Sequence, residues 1–181
     1  MKVYLAGPEV FHPQSEKIFK LKEGICRRMG FVPTTPFDAR AHMEDMQFSP
    51  DTLGKMIYLE NIKLIELSDA VVANITPFRG PHMDCGTAFE LGYAHALRKR
   101  VACYSQDERG LSDRIKHTGF LDKEGLIVEN FDMAENLMIA APALIGSCGV
   151  VVKHVSPKER FLSQLGFLEA LLSLKDGTNV A

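Results

Sequence analysis

Short apolar runs alternate along this chain with longer stretches in which apolar residues recur every three or four positions. Five of the runs predict buried strands, and they span residues 2–6, 31–34, 70–75, 100–104 and 126–128. Four of the longer stretches predict helices, over residues 14–29, 52–67, 87–98 and 157–174. Fully apolar strands that alternate with helices are typical of a parallel sheet covered on both faces. We therefore expect an α/β fold with five parallel strands.

The spacing of apolar residues also predicts which side of a helix is buried. The face predicted for the first helix consists of Ile18, Leu21 and Ile25. The faces predicted for the second and the last helix consist of Leu53, Ile57 and Ile65, and of Phe161, Leu165, Leu168 and Leu172. A chain of 181 residues can bury one sizeable core, and neither a linker nor a repeat divides it. We expect one domain over residues 1–181.

Composition and charge limit the classes of partner. The formal net charge is −2 and the basic residues are scattered, so we expect no nucleic-acid partner. The four cysteines form no C-x-x-C pair and the six histidines show no metal-ligand spacing, which favours reduced thiols and no metal site. The first residues lack the pattern of a leader peptide, and no apolar run reaches 18 residues. We expect a cytoplasmic protein without a membrane partner.

The segment 84–94 carries the strongest chemical signal in the chain. Asp84 precedes a glycine turn at Gly86, and Glu90 follows six positions after Asp84, inside the predicted helix. Two carboxylates that converge on one cleft suit chemistry at a glycosidic carbon, where one attacks and the other manages a proton. The alternative is structural, because an aspartate often caps a helix and a glutamate in the first turns is often solvated.

The loops that follow the predicted strands supply the remaining candidates, because ligands of open α/β sheets bind beyond the carboxyl ends of the strands. Gly7 follows the first strand, and Phe11, Phe37 and Phe78 follow strands one to three. Neither the G-x-G-x-x-G pattern nor a P-loop occurs after the first strand. An acid and an aromatic residue there suit an uncharged sugar or base better than a phosphate. Each phenylalanine alone is more often a core residue than a stacking platform.

Five motifs, in order, closely resemble those of the nucleoside 2-deoxyribosyltransferase family; they lie at residues 4–8, 68–70, 78–80, 84–92 and 136–138. The resemblance implies a flavodoxin-like five-stranded parallel sheet with helices on both faces. It implies transfer of 2-deoxyribose between nucleobases without a cofactor, with deoxynucleosides and free nucleobases as partners. It also implies a homo-oligomer whose active sites are shared between subunits.

The resemblance assigns roles to individual residues of this chain. Glu90 matches the nucleophile, Asp69 the acid near the leaving base, and Asp84 the residue that holds the sugar hydroxyls. Tyr4 resembles the aromatic residue that contacts the nucleophile. For Asp69 a turn or cap, and for Tyr4 simple packing in a strand, are the structural alternatives. Which aspartate protonates the leaving base stays open.

The remaining candidates are substrate-binding residues. Gly7 and Gly86 allow close approach of the backbone, and at least one of the three phenylalanines is expected to line the base. Asn136 and Met138 match residues that reach into the neighbouring subunit's site, where Asn136 bonds the sugar 5′-hydroxyl. A loop cap followed by a core methionine is the alternative for that pair.

Three other functions compete with this interpretation. A related hydrolase of deoxynucleoside monophosphates would let water resolve the intermediate, but its phosphate loop is absent. Phosphoribohydrolases share the G-T-x-x-E pattern at 86–90 but also need a preceding Pro-Gly-Gly, which is missing. A non-catalytic nucleoside-binding module would not require three clustered acids. Segments 40–51 and 139–155 match no family motif, and purine versus pyrimidine preference stays open.

Overall fold

The computed structural model describes residues 1–40, 47–146 and 148–177. Its strands are β1 (Lys2–Ala6), β2 (Val32–Thr34), β3 (Ala70–Asn74), β4 (Arg100–Ser105), β5 (His117–Thr118), β6 (Leu121–Asp122) and β7 (Val150–Val152). Its α-helices are α1 (Ser15–Arg28), α2 (Pro36–Arg40), α3 (Pro50–Glu66), α4 (Cys85–Ala96), α5 (Leu111–Arg114), α6 (Leu137–Ile145) and α7 (Leu165–Asp176). A 3-10 helix spans Pro8–Phe11.

The main sheet has five parallel strands in the order β2-β1-β3-β4-β7. Numbered within the sheet, this is the order 2-1-3-4-5 of doubly wound flavodoxin-like folds, and it confirms the predicted fold class. β3 lies at the centre and is buried along its whole length. Its small and β-branched residues fit a strand that has a neighbour on each side and a helix layer on each face.

Helices cover both faces of the sheet, as predicted. One core joins the sheet to α1 and α7 and contains Phe19, Phe167 and Leu171. The opposite core joins the sheet to α4 and α6 and contains Leu91 and Ala143. Burial of one large apolar side chain contributes roughly 1.5–3 kcal/mol to stability. Because each core contains several such side chains, the helices are held firmly on the sheet, and the loops at the sheet edge keep their positions.

The predicted fifth strand is wrong. Residues 126–128 form no strand of the main sheet, and Ile127 makes one isolated bridge to Leu121 beside the β5–β6 hairpin. Leu126 and Ile127 are 62% and 73% exposed, so this apolar run is not a core segment. The fifth strand is β7, where Val150 pairs with Cys103 of β4. Its run of three valines lies inside the 139–155 stretch, which also holds α6.

The last predicted helix is corrected in both its start and its buried face. It begins at Leu165 rather than residue 157, and Leu165, Leu168 and Leu172 are exposed. The buried residues are Gly166, Phe167, Ala170, Leu171 and Leu174. A Cβ on Gly166 would lie 2.8 Å from the Tyr104 ring, so the helix packs on its glycine side to approach the sheet closely.

The other helix faces are confirmed only in part. In α1, Ile18 is buried, but Leu21 is exposed and Lys22 is buried in its place. In α3, Ile65 is fully buried, whereas Leu53 and Ile57 are only partly covered. The predicted helix 87–98 begins earlier, at Cys85, because Asp84 caps it. The part of the 40–51 segment that spans residues 41–46 lies outside the described residues.

Candidate active site

A cleft of about 390 Å³ lies where the loops after β1 and β2 meet the start of α4. Its volume falls within the range of small-molecule sites. It is lined by Gly7, Val10, Phe11, Pro36, Phe37, Ile57, Asn61, Asp84, Gly86, Thr87 and Glu90. Carbon-rich side chains predominate, and the polar groups come from α3 and α4. Six of the lining residues are among the site candidates from the sequence: Gly7, Phe11, Phe37, Asp84, Gly86 and Glu90.

Asp84 serves as a helix cap and faces the cleft at the same time. Its Oδ2 accepts hydrogen bonds from the backbone N–H of Thr87 at 2.8 Å and from the Thr87 hydroxyl at 2.9 Å. Such a cap holds the first turn of a helix in place. Because α4 starts at the cleft, the cap also fixes where Glu90 emerges, on the second turn. The capping alternative and the cleft position are therefore both true of this residue.

Glu90 is the carboxylate whose surroundings are most unusual. Burial raises its pKa to about 7, a hydrogen bond from Tyr4 lowers it, and the charge of Asp84 raises it. No basic side chain of the described residues contributes to this pKa. A carboxylate that is partly desolvated and faces no cation keeps its electron pair available.

Tyr4 contacts Glu90 directly. Tyr4 is fully buried in strand β1, and its hydroxyl donates a 2.6 Å hydrogen bond to Glu90 Oε1. Burial, followed by the charge of Glu90, raises the pKa of Tyr4 far above its ordinary value. The phenol therefore stays protonated and can only orient or stabilise the ionised carboxylate. Tyr4 therefore both packs in the strand and contacts the Glu90 carboxylate.

The two glycines of the cleft are required by close contacts. A Cβ on Gly7 would overlap Oε2 of Glu9, and a Cβ on Gly86 would lie 3.1 Å from Oδ2 of Asp84. The Gly7 backbone therefore approaches a carboxylate more closely than a side chain permits, and at Gly86 a side chain would be tightly confined against Asp84. This leaves the peptide groups of Gly7 and Gly86 as part of the cleft wall.

Two of the three candidate phenylalanines, Phe11 and Phe37, line the cleft. Phe11 is 55% exposed and stacks on Phe78, with ring centroids 5.2 Å apart. The guanidinium of Arg79 lies over both rings, 5.1 and 4.6 Å from their centroids. Phe37 lines the cleft and packs its ring edge against Phe19 of the core. Phe78 thus supports Phe11 rather than lining the cleft itself.

The structure does not bring Asp69 into the cleft. Asp69 directly precedes β3, and its Oδ2 accepts a 2.6 Å hydrogen bond from the backbone N–H of Lys2. A residue that precedes a parallel strand lies at the amino edge of the sheet, whereas the cleft lies at the carboxyl edge. The assignment of Asp69 as an acid beside the leaving base is therefore withdrawn. Asp69 is the turn residue that the alternative describes.

Asn61 was missed by sequence reasoning. It lines the cleft from α3, and its Oδ1 is buried without a hydrogen-bond partner among the described residues. A buried carbonyl oxygen without a partner costs free energy, and a bound ligand that donates to it recovers that cost. The available signal was its spacing from Ile57, one helical turn earlier, which also lines the cleft.

Asn136 and Met138 lie outside the cleft of their own chain. Asn136 caps α6, with Oδ1 accepting from the backbone N–H of Met138 at 3.0 Å. Met138 is 72% exposed and is not a core residue. The cap therefore accounts for the side-chain oxygen of Asn136, while the methionine is left on the surface.

Two searches of the described ranges bear on partners. Within them, no group of three or more His, Cys, Asp or Glu side chains could hold a metal ion. No helix in the described part of the chain is long and apolar enough to cross a membrane.

Comparisons with known proteins find similarities over most of the chain. The family model described as nucleoside 2-deoxyribosyltransferase matches residues 3–138. A 2-deoxyribosyltransferase structure from Leishmania mexicana is 35% identical, with a TM-score of 0.62, and the match covers 76% of this chain and 84% of that one. An uncharacterised protein of Schizosaccharomyces pombe is 30% identical over 94% of this chain and 90% of its own. A 2-deoxyribosyltransferase of Bacillus psychrosaccharolyticus shares the fold at 22% identity, with a TM-score of 0.50 over 75% of this chain and 96% of that one.

Proposed function

The chain belongs to the nucleoside 2-deoxyribosyltransferase family, and on this premise we propose that it exchanges the nucleobase of 2′-deoxyribonucleosides. The observation that carries the proposal is Glu90, a carboxylate with a raised pKa that accepts a hydrogen bond from Tyr4 in a cleft sized for a small ligand. Such a group is suited to attack on an electrophilic sugar carbon.

The proposed reaction is a retaining double displacement through Glu90. A carboxylate oxygen bonds to C1′ while the C1′–N bond breaks, and the base leaves with the electron pair and takes up a proton. A nitrogen of a second base then attacks C1′ from the vacated face, loses its own proton, and releases the Glu90 carboxylate. Atoms and charge balance over the two steps, so the exchange consumes no cofactor.

Neighbouring side chains supply orientation in this scheme. Tyr4 fixes the nucleophilic carboxylate, and Asp84 holds the sugar hydroxyls while it caps α4. Asn61 contributes a free carbonyl oxygen at which the N–H groups of a nucleobase edge can bind. Phe11, supported by Phe78, offers a ring face for the base.

We propose that 2-deoxyribonucleosides are strongly preferred over ribonucleosides. A 2′-hydroxyl withdraws electrons from the oxocarbenium-like transition state and crowds the carboxylate that attacks C1′. Specificity constants for deoxyinosine and inosine measure this preference. Equal values for the two nucleosides would contradict the mechanism.

We also propose a homo-oligomer in which Asn136 and Met138 complete the neighbouring subunit's site. The exposure of Met138, and the fact that neither residue lines the cleft of its own chain, support this arrangement. Mixing subunits of Glu90→Ala with subunits of Asn136→Ala should restore part of the exchange activity, because some sites regain both residues. Verified mixed oligomers that are no more active than the two parent variants, or a fully active monomer, would overturn the shared site.

One assay separates the candidate functions. The protein is incubated with deoxyinosine, with and without free adenine, and the products are resolved by chromatography. Deoxyadenosine that forms only when adenine is present supports the transferase. Hypoxanthine released equally without adenine would replace the transferase with a hydrolase, and no turnover of any deoxynucleoside would favour a binding module.

A further inference from the structure

Glu135 is a buried carboxylate that joins two segments of the proposed site. It is 2% exposed and lies immediately before Asn136. Its Oε2 accepts from the backbone N–H of Met83 at 2.9 Å, and its Oε1 accepts from the backbone N–H of Asn136 at 3.0 Å. Met83 directly precedes Asp84, the cap that lines the cleft. One side chain therefore bonds the loop that leads to the nucleophile helix and the start of α6.

Two further donors complete the bonding of this carboxylate. Nη2 of Arg114 lies 3.1 Å from Oε2, and Nδ1 of His82 lies 3.1 Å from Oε1. The Arg114 side chain is as buried as that of Glu135, and its Nη2 also donates to the carbonyl of Ala134 at 2.6 Å. Each carboxylate oxygen thus has one backbone donor and one side-chain donor. Neither oxygen can move without breaking a bond to one of the two segments.

A buried ion pair is a weak source of stability, because desolvation of both charges offsets most of their attraction. The Glu135 carboxylate, held by Arg114, instead lies between the loop at Met83 and the start of α6, so it bonds two separate elements rather than one. Main-chain bonds alone would not tie these segments together. The arrangement is suited to fixing the distance between them.

We propose that Glu135 is a positioning residue that couples each protomer's own cleft to the residues that the protomer contributes to its neighbour's site. It holds the loop before Asp84 and the segment that begins at Asn136 in one fixed relation. This inference rests on the proposed function, and in particular on the shared site. A change at the Asp84 loop of one subunit is then transmitted through Glu135 to Asn136.

The first test is the amide hydrogen exchange of Glu135→Gln. A glutamine has one acceptor oxygen, so it can satisfy the donors at Met83 or those at Asn136, but not both. Exchange should accelerate by about tenfold or more in the segment that loses its bond, and through the coupling also in the other one, so that both the 82–87 and the 136–139 segments are affected. Arg109→Gln is the matched control, since Arg109 pairs with Asp107 and contacts neither segment; it should leave both unchanged. Acceleration in one segment only, or in neither, would overturn the coupling.

His82→Ala serves if Glu135→Gln does not fold. The His82 side chain is more than half exposed, so its removal leaves the core intact and deletes one donor to Glu135. Loss of one such hydrogen bond should accelerate exchange in the 136–139 segment about fivefold. An unchanged rate there would contradict the proposal as firmly as an unchanged Glu135→Gln.

The second test is a double-mutant cycle on base exchange. Glu135→Gln should lower kcat/KM about tenfold in the otherwise native chain, and by a clearly smaller factor in an Asn136→Ala background. A purely structural role predicts the same factor in both backgrounds, and that result would overturn the inference. If the native protein shows no exchange at all, the proposed function fails, whereas the hydrogen-exchange test still decides whether Glu135 links the two segments.

Discussion

Two carboxylates at the carboxyl edge of the sheet have opposite environments. Glu90 faces a phenol and another carboxylate in the cleft, and burial raises its pKa to about 7. Asp107 follows β4, where Arg109 and Arg160 donate to its Oδ2 at 2.7 and 2.8 Å. Hydrogen bonds from Arg109 lower the pKa of Asp107 to about 2. Both groups lie beyond strand ends, but only one has cations to neutralise it.

The difference indicates which acids of this chain are structural. Glu9 is buried against Lys22, Asn74 and the hydroxyl of Tyr104, as Glu135 is buried against Arg114. An acid whose charge is balanced by a buried cation has little tendency to bond to a sugar carbon. Glu90 is desolvated without a cation, and that combination distinguishes a reactive carboxylate from a structural one.

Removal of the two carboxylates should therefore separate activity from stability. We expect Glu90→Gln to lower base exchange on the order of 10³-fold or more, because the amide cannot form the sugar ester. Asp107→Asn should leave exchange within about threefold and lower the free energy of unfolding by about 1–2 kcal/mol. Steady-state kinetics and denaturant melts of both variants make the comparison. Near-normal turnover by Glu90→Gln would contradict the distinction between Glu90 as a reactive carboxylate and Asp107 as a structural one.

The pH dependence of exchange should follow the ionisation of Glu90. The nucleophile is the ionised form, so kcat/KM should rise with pH and level off above a pKa of about 7. An unperturbed glutamate would give a limb near pH 4 instead. A profile measured from about pH 4 to pH 9, with Asp107→Asn as the control, distinguishes the two. A limb that stays near pH 4 would show that Glu90 is not desolvated in the working enzyme.

Tyr4→Phe should shift that pH profile. The phenol lowers the pKa of Glu90 by its hydrogen bond, so its loss should move the acid limb upward and reduce exchange at neutral pH about tenfold. The ring remains in β1, since phenylalanine retains the apolar body of a residue that is fully buried. A downward shift of the limb would mean that Tyr4 does not stabilise the carboxylate.

Stability should depend on pH in opposite directions at the two sites. The folded-state pKa of Asp107 is depressed, so its contribution is present above pH 3.8, the ordinary value, and is lost as pH falls toward about 2. The folded-state pKa of Glu90 is raised, so stability declines as pH rises from 4.5 to about 7. Melting temperatures of Asp107→Asn and Glu90→Gln across this range should each lack one of the two trends.

The parts of the molecule that follow from sequence are those that local pattern determines. The apolar runs at 2–6 and 70–75 correctly predict β1 and β3. The pattern of a capping aspartate followed by Gly86 and Glu90 indicates where the cleft lies. The fifth strand was misplaced because runs as short as 126–128 and Val150–Val152 look alike until partner strands are known. The buried face of α7 was missed because apolar residues lie on both sides of the helix, and Gly166, which packs against the Tyr104 ring, carries no hydrophobic signal.

The errors at the site have a different origin. Asp69 was assigned from its place in a motif, although a residue before β3 lies at the opposite edge of the sheet from the cleft. Asn61 gives no catalytic pattern in the sequence, and its role depends on how α3 packs beside the cleft. Three of the four bonds to Glu135 come from residues far away in the chain, His82, Met83 and Arg114, and only the tertiary fold reveals them.

The most direct test of the central claim is to trap the intermediate. A 2-fluoro-2-deoxynucleoside slows both steps of the double displacement, and the sugar ester should accumulate on the nucleophile, to be located by peptide mass spectrometry. We predict one adduct, on Glu90, absent from Glu90→Gln and unaffected by Asp107→Asn. An adduct on Asp84, or labelling of Glu90→Gln to the same extent as the native chain, would contradict the assignment of Glu90 as the nucleophile.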